Sequence, residues 1–246
     1  MKESQETSRD QEFDAYATDY GAGMDIGLKC CLGPDAESFI EVKVAWMLQY
    51  LARWPLPNDV EVPRLMDYGC GVGTLLRVLR RMGFAAELAG CDVSRGMIKE
   101  ACERWPQDEP LRFEPIENGR APYADQAFDL VVLSSVMHHV EVAERNIVYA
   151  DALRLLKIGG RLIVFEHNPF NPLTQWVVHH TPIDQNAVLL RPCEVVRGLK
   201  AVSGVATHTE YLMFFPPRMV LLRPCERFLR WFPLGAQYVV VATKLC

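Results

Sequence analysis

No run of 18 or more apolar residues occurs in the 246-residue chain, so no membrane span is expected. The opening Met1-Lys-Glu-Ser-Gln-Glu is polar and mixed in charge, without the apolar centre of a secretory signal, and a cytoplasmic location is the expectation. Basic clusters are scarce. The formal net charge is -5, and lysines and arginines form only short pairs such as Arg80-Arg81. A field that steers phosphates is missing, and nucleic acid is not expected as a partner. The eight cysteines contain no Cys-x-x-Cys pair and read as reduced thiols rather than a disulfide framework. No histidine pair has helical i, i+4 spacing and no Cys/His zinc pattern occurs, so no metal is expected. Internal repeats are absent, as is any linker that would mark a second domain.

What the chain has is an apolar half and a rhythm. Half of its residues are hydrophobic and 23% are charged, which suits a globular domain. Residues 13–33 mix aromatics with glycines, including Tyr16, Tyr20, Gly21 and Gly23, as befits a mobile N-terminal lid. Spacing predicts a helix over 38–54, with Ser38 as its cap, closed by Pro55, Pro57 and Pro63. From Arg64, strands at 64–68, 87–92, 111–116, 128–135 and 161–166 alternate with helices at 74–82, 94–104 and 141–156. A helix near 192–202 and two closing strands, 207–215 and 238–244, follow. The alternation predicts a doubly wound α/β fold around a mostly parallel sheet. Residues 1–54 then form tail, lid and helix; 55–246 form the core, with roof insertions at 168–204 and 216–236 over the substrate.

Ligands of such sheets bind at the carboxyl ends of the strands. Four segments fall there: Asp67–Gly73, Cys91–Ser94, Ser134–His139 and Glu166–Asn168. In Leu65-Met-Asp-Tyr-Gly-Cys-Gly-Val-Gly73, glycines let the backbone turn sharply and approach a ligand. Thr74 stands where a dinucleotide fingerprint needs glycine, which disfavours NAD or FAD. Asp92 ends the next strand, where a carboxylate can accept both hydroxyls of a ribose.

These segments resemble the class I S-adenosylmethionine-dependent methyltransferases. Asp67-Tyr-Gly-Cys-Gly-Val-Gly73 is similar to their first motif, Asp92 to their ribose-binding acid, and Glu117-Asn118-Gly119 to the stretch flanking adenine. Residues 128–140 resemble their fourth strand and its loop, and Leu156-Lys-Ile-Gly-Gly-Arg their fifth-strand entry, with Ile158 where proline is usual. The resemblance implies a seven-stranded Rossmann-like sheet with its last strand antiparallel. It also implies S-adenosylmethionine as cofactor and S-adenosylhomocysteine as product. The cofactor-binding residues expected are Asp67, Gly69, Cys70, Gly71, Gly73, Asp92, Val93, Met97, Glu117, Asn118, Ser134, Ser135 and Tyr20.

The expected reaction is methyl transfer to a small molecule, at oxygen, with a histidine as general base. Candidates on the rim are His138, His139, Glu166 and His167. One of the adjacent histidines should face the substrate and the other pack; relatives favour His138. Glu166 could instead pair with a roof arginine. The amides of Asn168 and Asn171, in a stretch that Pro169 and Pro172 make rigid, could present hydrogen bonds to a polar substrate. The alternatives are transfer to nitrogen or carbon of a lipid or prenyl-linked acceptor, and a binding protein without chemistry. Strand four ends in Ser134-Ser135, not in the Asn/Asp-Pro-Pro-Tyr/Phe of enzymes that methylate amide or base nitrogens. Residues 218–231 interleave arginines with Met219, Leu221, Leu222, Phe228 and Trp231, a pattern that allows peripheral contact with lipid, although Pro224 interrupts a long helix.

Overall fold

The computed structural model describes residues 14, 37–57, 61–106, 111–216 and 218–245. The lid expected at 13–33, with Tyr16 and Tyr20, lies outside the described residues apart from Asp14. The first described helix is α1 (Glu37–Arg53), in which Ser38 is a buried member of the helix rather than its cap. Then come β1 (Arg64–Tyr68), α2 (Thr74–Arg81), β2 (Glu87–Asp92), α3 (Arg95–Arg104), β3 (Arg112–Pro115) and β4 (Phe128–Ser134). They are followed by α4 (Arg145–Leu155), β5 (Leu156–His167), α5 (Pro172–His180), α6 (Pro192–Val202), β6 (Val205–Leu212) and β7 (Gln237–Lys244).

The strands form one seven-stranded sheet in the order β3-β2-β1-β4-β5-β7-β6. Strands β1 to β5 pair in parallel, and β7 runs antiparallel to both β5 and β6. Successive residues of a strand face opposite sides, and here both sides are apolar. Met66, Val131, Leu133, Leu162, Val164 and Val240 pack with Tyr149 of α4 and Val195 and Leu199 of α6. Leu65, Leu130, Val132, Ile163, Phe165 and Val239 pack on the other face with Val44, Trp46 and Met47 of α1 and Leu75, Leu76 and Leu79 of α2.

The strand expected at 207–215 runs Val205–Leu212 and the helix expected at 141–156 runs Arg145–Leu155; three further elements differ in kind from the sequence expectation. Strand β5 begins at Leu156 rather than Arg161, because a register shift lets Phe128 pair with Leu156 and Leu130 with Arg161. Gly159, at φ +77°, absorbs the extra residues as a bulge instead of stopping a helix. Residues 172–180 form a helix that the polar composition hid: the Asn171 side chain accepts from the Thr174 N–H and Pro172 occupies the first turn. The segment expected near 218–231 contains a 3-10 helix, Val220–Phe228, with no buried residue.

Candidate functional site

The rim where β1 and β2 end is built by backbone. Gly69, Gly71 and Gly73 all have positive φ, at 78°, 51° and 74°. Gly69 needs glycine twice over, since a Cβ there would also stand 2.6 Å from Val136 Cγ2. The N–H groups of Gly69 and Cys70 both donate to the Cys91 carbonyl, at 2.7 and 2.9 Å, tying the loop to β2. Asp92 completes the stitch. One carboxylate oxygen accepts from the Gly71 N–H at 2.8 Å and the other from the Ser94 N–H at 3.0 Å. Ser94 in turn caps α3 by accepting from the Met97 N–H. Asp67 is buried, its Oδ1 has no hydrogen-bond partner among the described residues, and burial followed by the nearby Asp92 charge pushes its carboxyl up to about 8.

Other residues expected around the nucleoside are spread over this rim. Cys70 and Met97 are buried, whereas Val93 is exposed. Glu117 is exposed and paired with Arg95, and Asn118 takes a positive φ of 52° in the turn that follows. Ser134 and Ser135 do come together with a polar partner, and it is one the sequence reading missed. Lys43 of α1 donates to both hydroxyls, at 2.9 and 2.8 Å. The buried stripe Val44, Trp46 and Met47 seats α1 on the sheet, and Trp46 Nε1 donates to Glu210 at 2.8 Å. That seating carries the adjacent lysine into the rim. Burial lowers the Lys43 ammonium to about 8, although Glu166, Asp67 and Asp184 favour its charge.

Where β4 and β5 end, a second cluster forms. Glu166 is fully buried and grips the loop after β4 three ways. Its Oε1 accepts from the Val136 and Met137 N–H groups at 3.1 and 2.7 Å, and its Oε2 lies 2.6 Å from His138 Nδ1. It pairs with no arginine of the roof. His138 Nε2 is 3.6 Å from Asp184 Oδ1, too long for a hydrogen bond, and is buried without a hydrogen-bond partner among the described residues. His139 Nε2 is 3.4 Å from the same oxygen. The His138 ring lies 4.1 Å from that of His139 and 5.0 Å from that of His167, centroid to centroid. The four expected side chains are thus gathered in one place.

Their electrostatics diverge. Burial alone would lower the His138 imidazolium, but the Glu166 charge and the two flanking carboxylates outweigh it and hold it at about 9. Burial would raise Glu166, but the His138 charge and hydrogen bond bring it down to about 2. Burial, then the His138 charge, lowers His139, and the same two causes push His167 down to about 3. Asp184 was invisible in the sequence, a lone acid in a polar stretch. It sits in a 3-10 turn, Pro182–Asp184, which the Val188 N–H helps dock by donating to the His138 carbonyl at 2.9 Å. Asp184 also lines an open groove of about 480 Å³ with Pro169, Gln175, Val178, His179 and Leu189. The amides expected to meet substrate turn inward. Asn168 is buried and donates to the Pro233 and Gly235 carbonyls, and Asn171 donates to the Leu234 carbonyl.

Residues 66–164 match the family described as a methyltransferase domain. The chain is 34% identical over 114 residues to a demethylmenaquinone methyltransferase of Thermobifida fusca, covering 44% of this chain and 46% of that protein. It is 28% identical over 139 residues to phthiotriol/phenolphthiotriol dimycocerosates methyltransferase 1 of Mycobacterium ulcerans, covering 56% of this chain and 50% of the other. The chain spans about half the length of the curated relatives it matches. Its fold superposes on a SAM-dependent methyltransferase from Archaeoglobus fulgidus with a TM-score of 0.60 at 16% identity, over 83% of this chain and 94% of that one.

Proposed function

We propose that this chain, a member of the class I S-adenosylmethionine-dependent methyltransferases through residues 66–164, transfers a methyl group to an oxygen of a small, lipid-like acceptor. The observation that carries the reading is the glycine loop hooked onto Asp92 beside an unpartnered Asp67 oxygen, with a titratable cluster at the neighbouring strand ends. The cofactor fits this rim. Among the described residues, Gly71 and its two chain neighbours apart, no atom lies within 4 Å of where a Cβ on Gly71 would stand, so the loop leaves room for a ligand against its backbone. Asp67 Oδ1 can accept from an ammonium group. Asp92, which holds the loop, is the acceptor proposed for the ribose hydroxyls. Glu117 and Asn118 supply the polar edge for adenine, with Val93, Cys70 and Met97 beside them. Gly69, Gly73, Ser134, Ser135 and Tyr20 complete the proposed contacts. Lys43 is the cation for the donor's carboxylate.

The donor supplies an electrophilic methyl group on a sulfonium. The chain must align it with the acceptor, which can contribute about 7–11 kcal/mol, and take up the acceptor's proton. We assign that proton to His139. Its side chain is 19% exposed against 1% for His138, and Asp184 is placed to orient its Nε2. In this reading His138, Glu166 and His167 position the loop that carries it.

An apolar acceptor is favoured by the surface of the second roof insertion. Leu221 is 94% exposed and Trp231 76%, with Arg223 and Arg227 among them, so residues 218–231 offer an arginine-flanked apolar face to a lipid surface. Among the described residues no helix is long and apolar enough to cross a membrane. Transfer to carbon is a second reading, favoured by the likeness to a demethylmenaquinone methyltransferase.

Calorimetry with S-adenosylhomocysteine tests the donor half; no heat from folded protein overturns the proposal. Mass spectrometry of products from phenolic and quinol lipids then separates oxygen from carbon transfer. Asp92→Ala should weaken S-adenosylhomocysteine binding about 10–100-fold, the worth of a hydrogen bond to a charged group. Lys43 gives a pH test. Its ammonium is charged below about 8, so donor affinity should fall as the pH rises through that value. In Lys43→Met the affinity should be weaker and that component of the pH dependence gone. Comparison of the two proteins cancels the donor's own titration.

A further inference from the structure

We propose that His138 Nε2, His139 Nε2 and Asp184 Oδ1 form a binding site for a divalent transition-metal cation of the zinc type, with its remaining coordination position turned to the groove that Asp184 lines. Each of the three residues offers a ligand atom within 4.8 Å of those of the other two. Asp184 Oδ1 is 3.4 Å from one imidazole nitrogen and 3.6 Å from the other. Zinc bonds of about 2.0–2.2 Å in tetrahedral array set ligand atoms roughly 3.3–3.6 Å apart. Both measured edges therefore match a zinc polyhedron with little movement. His138 Nε2 is the second observation: a buried nitrogen with no hydrogen-bond partner among the described residues, 3.6 Å from the carboxylate. Its other ring nitrogen lies 2.6 Å from Glu166, the outer carboxylate that fixes the tautomer of a metal-binding histidine. Two imidazoles and one carboxylate suit zinc or cobalt rather than magnesium or calcium, which prefer oxygen alone. Spacing along the chain hid this set, since its members are two adjacent residues and one supplied by the roof.

Loading releases any proton on either Nε2 to water and forms nitrogen–metal bonds in its place. The cation then takes the Nε2 lone pair of His139 and leaves the ring's proton on Nδ1, the nitrogen that the proposed base uses. The two uses exclude one another, so a loaded protein should transfer methyl groups more slowly. That consequence rests on the base assignment above; the site itself rests on the cluster's geometry alone.

The experiment is a titration of the metal-stripped full chain with Zn²⁺ against a chromogenic chelator, and with Co²⁺ followed by visible absorption. The expected result is a single equivalent per chain, with cobalt bands of nitrogen and oxygen ligation and no thiolate charge-transfer band. Asp184→Ala should abolish the cobalt bands, and Glu166→Gln should weaken Zn²⁺ binding about 10–100-fold. Absence of cobalt bands in the unaltered protein, thiolate bands, or equal Zn²⁺ affinity in a folded Asp184→Ala protein overturns the site. Should Asp184→Ala fail to fold, the cobalt spectrum of the unaltered protein decides. S-adenosylhomocysteine binding, measured alongside, reports on the donor site independently. Full methyl transfer at full loading would leave the cation site standing and remove His139 as base.

Discussion

Alanine at position 139 is expected to lower methyl transfer about 10²–10⁴-fold, the usual worth of a positioned base, while binding of S-adenosylhomocysteine is unchanged. The selectivity follows from the layout. His139 belongs to the cluster where β4 and β5 end, whereas the glycine loop and Asp92, which carry most of the proposed donor contacts, lie where β1 and β2 end. The His139 side chain retains some exposure and is held against Asp184, so its removal takes away a proton acceptor without opening a core. Stopped assays at saturating donor, paired with calorimetry, give the two readings. Equal losses of donor affinity and turnover would assign His139 a structural role instead.

Replacing Glu166 with alanine should cost about 3–5 kcal/mol of stability, the range for removing one partner of a buried ion pair. For a chain of this size that lowers the melting temperature roughly 6–20 °C. The carboxylate is wholly buried, and its loss strands the His138 ring together with the Val136 and Met137 N–H groups. Differential scanning calorimetry checks the size of the effect. A shift of a degree or so would mean that the grip on the loop after β4 contributes little. Glutamine should be less damaging, because its amide oxygen can still accept from the backbone.

The sheet and the donor rim were legible because their signals are local. Each strand carries its own apolar run, and Leu65–Gly73 declares a strand, a turn and a helix within one stretch of sequence. Asp92 was legible because it closes the next strand. Lys43 was not, since an isolated lysine in an amphipathic helix reads as a solvated side chain. Only the docking of Trp46 against the sheet, edge-on to Phe165 at 5.6 Å, turns it inward. Asp184 was hidden for a related reason: its partners come from a loop far away in sequence, and tertiary contact alone brings them together. The asparagines after β5 misled in the opposite direction. Their amides satisfy carbonyls of the 233–235 segment, which a residue-type argument cannot distinguish from substrate binding.

Val136 has one neighbour on each side of the chemistry. Its methyl groups fill the space that a side chain on residue 69 would need, and its amide hangs from Glu166. The donor loop and the proposed base cluster therefore meet at this residue, and a change in the size of its side chain should be felt by both.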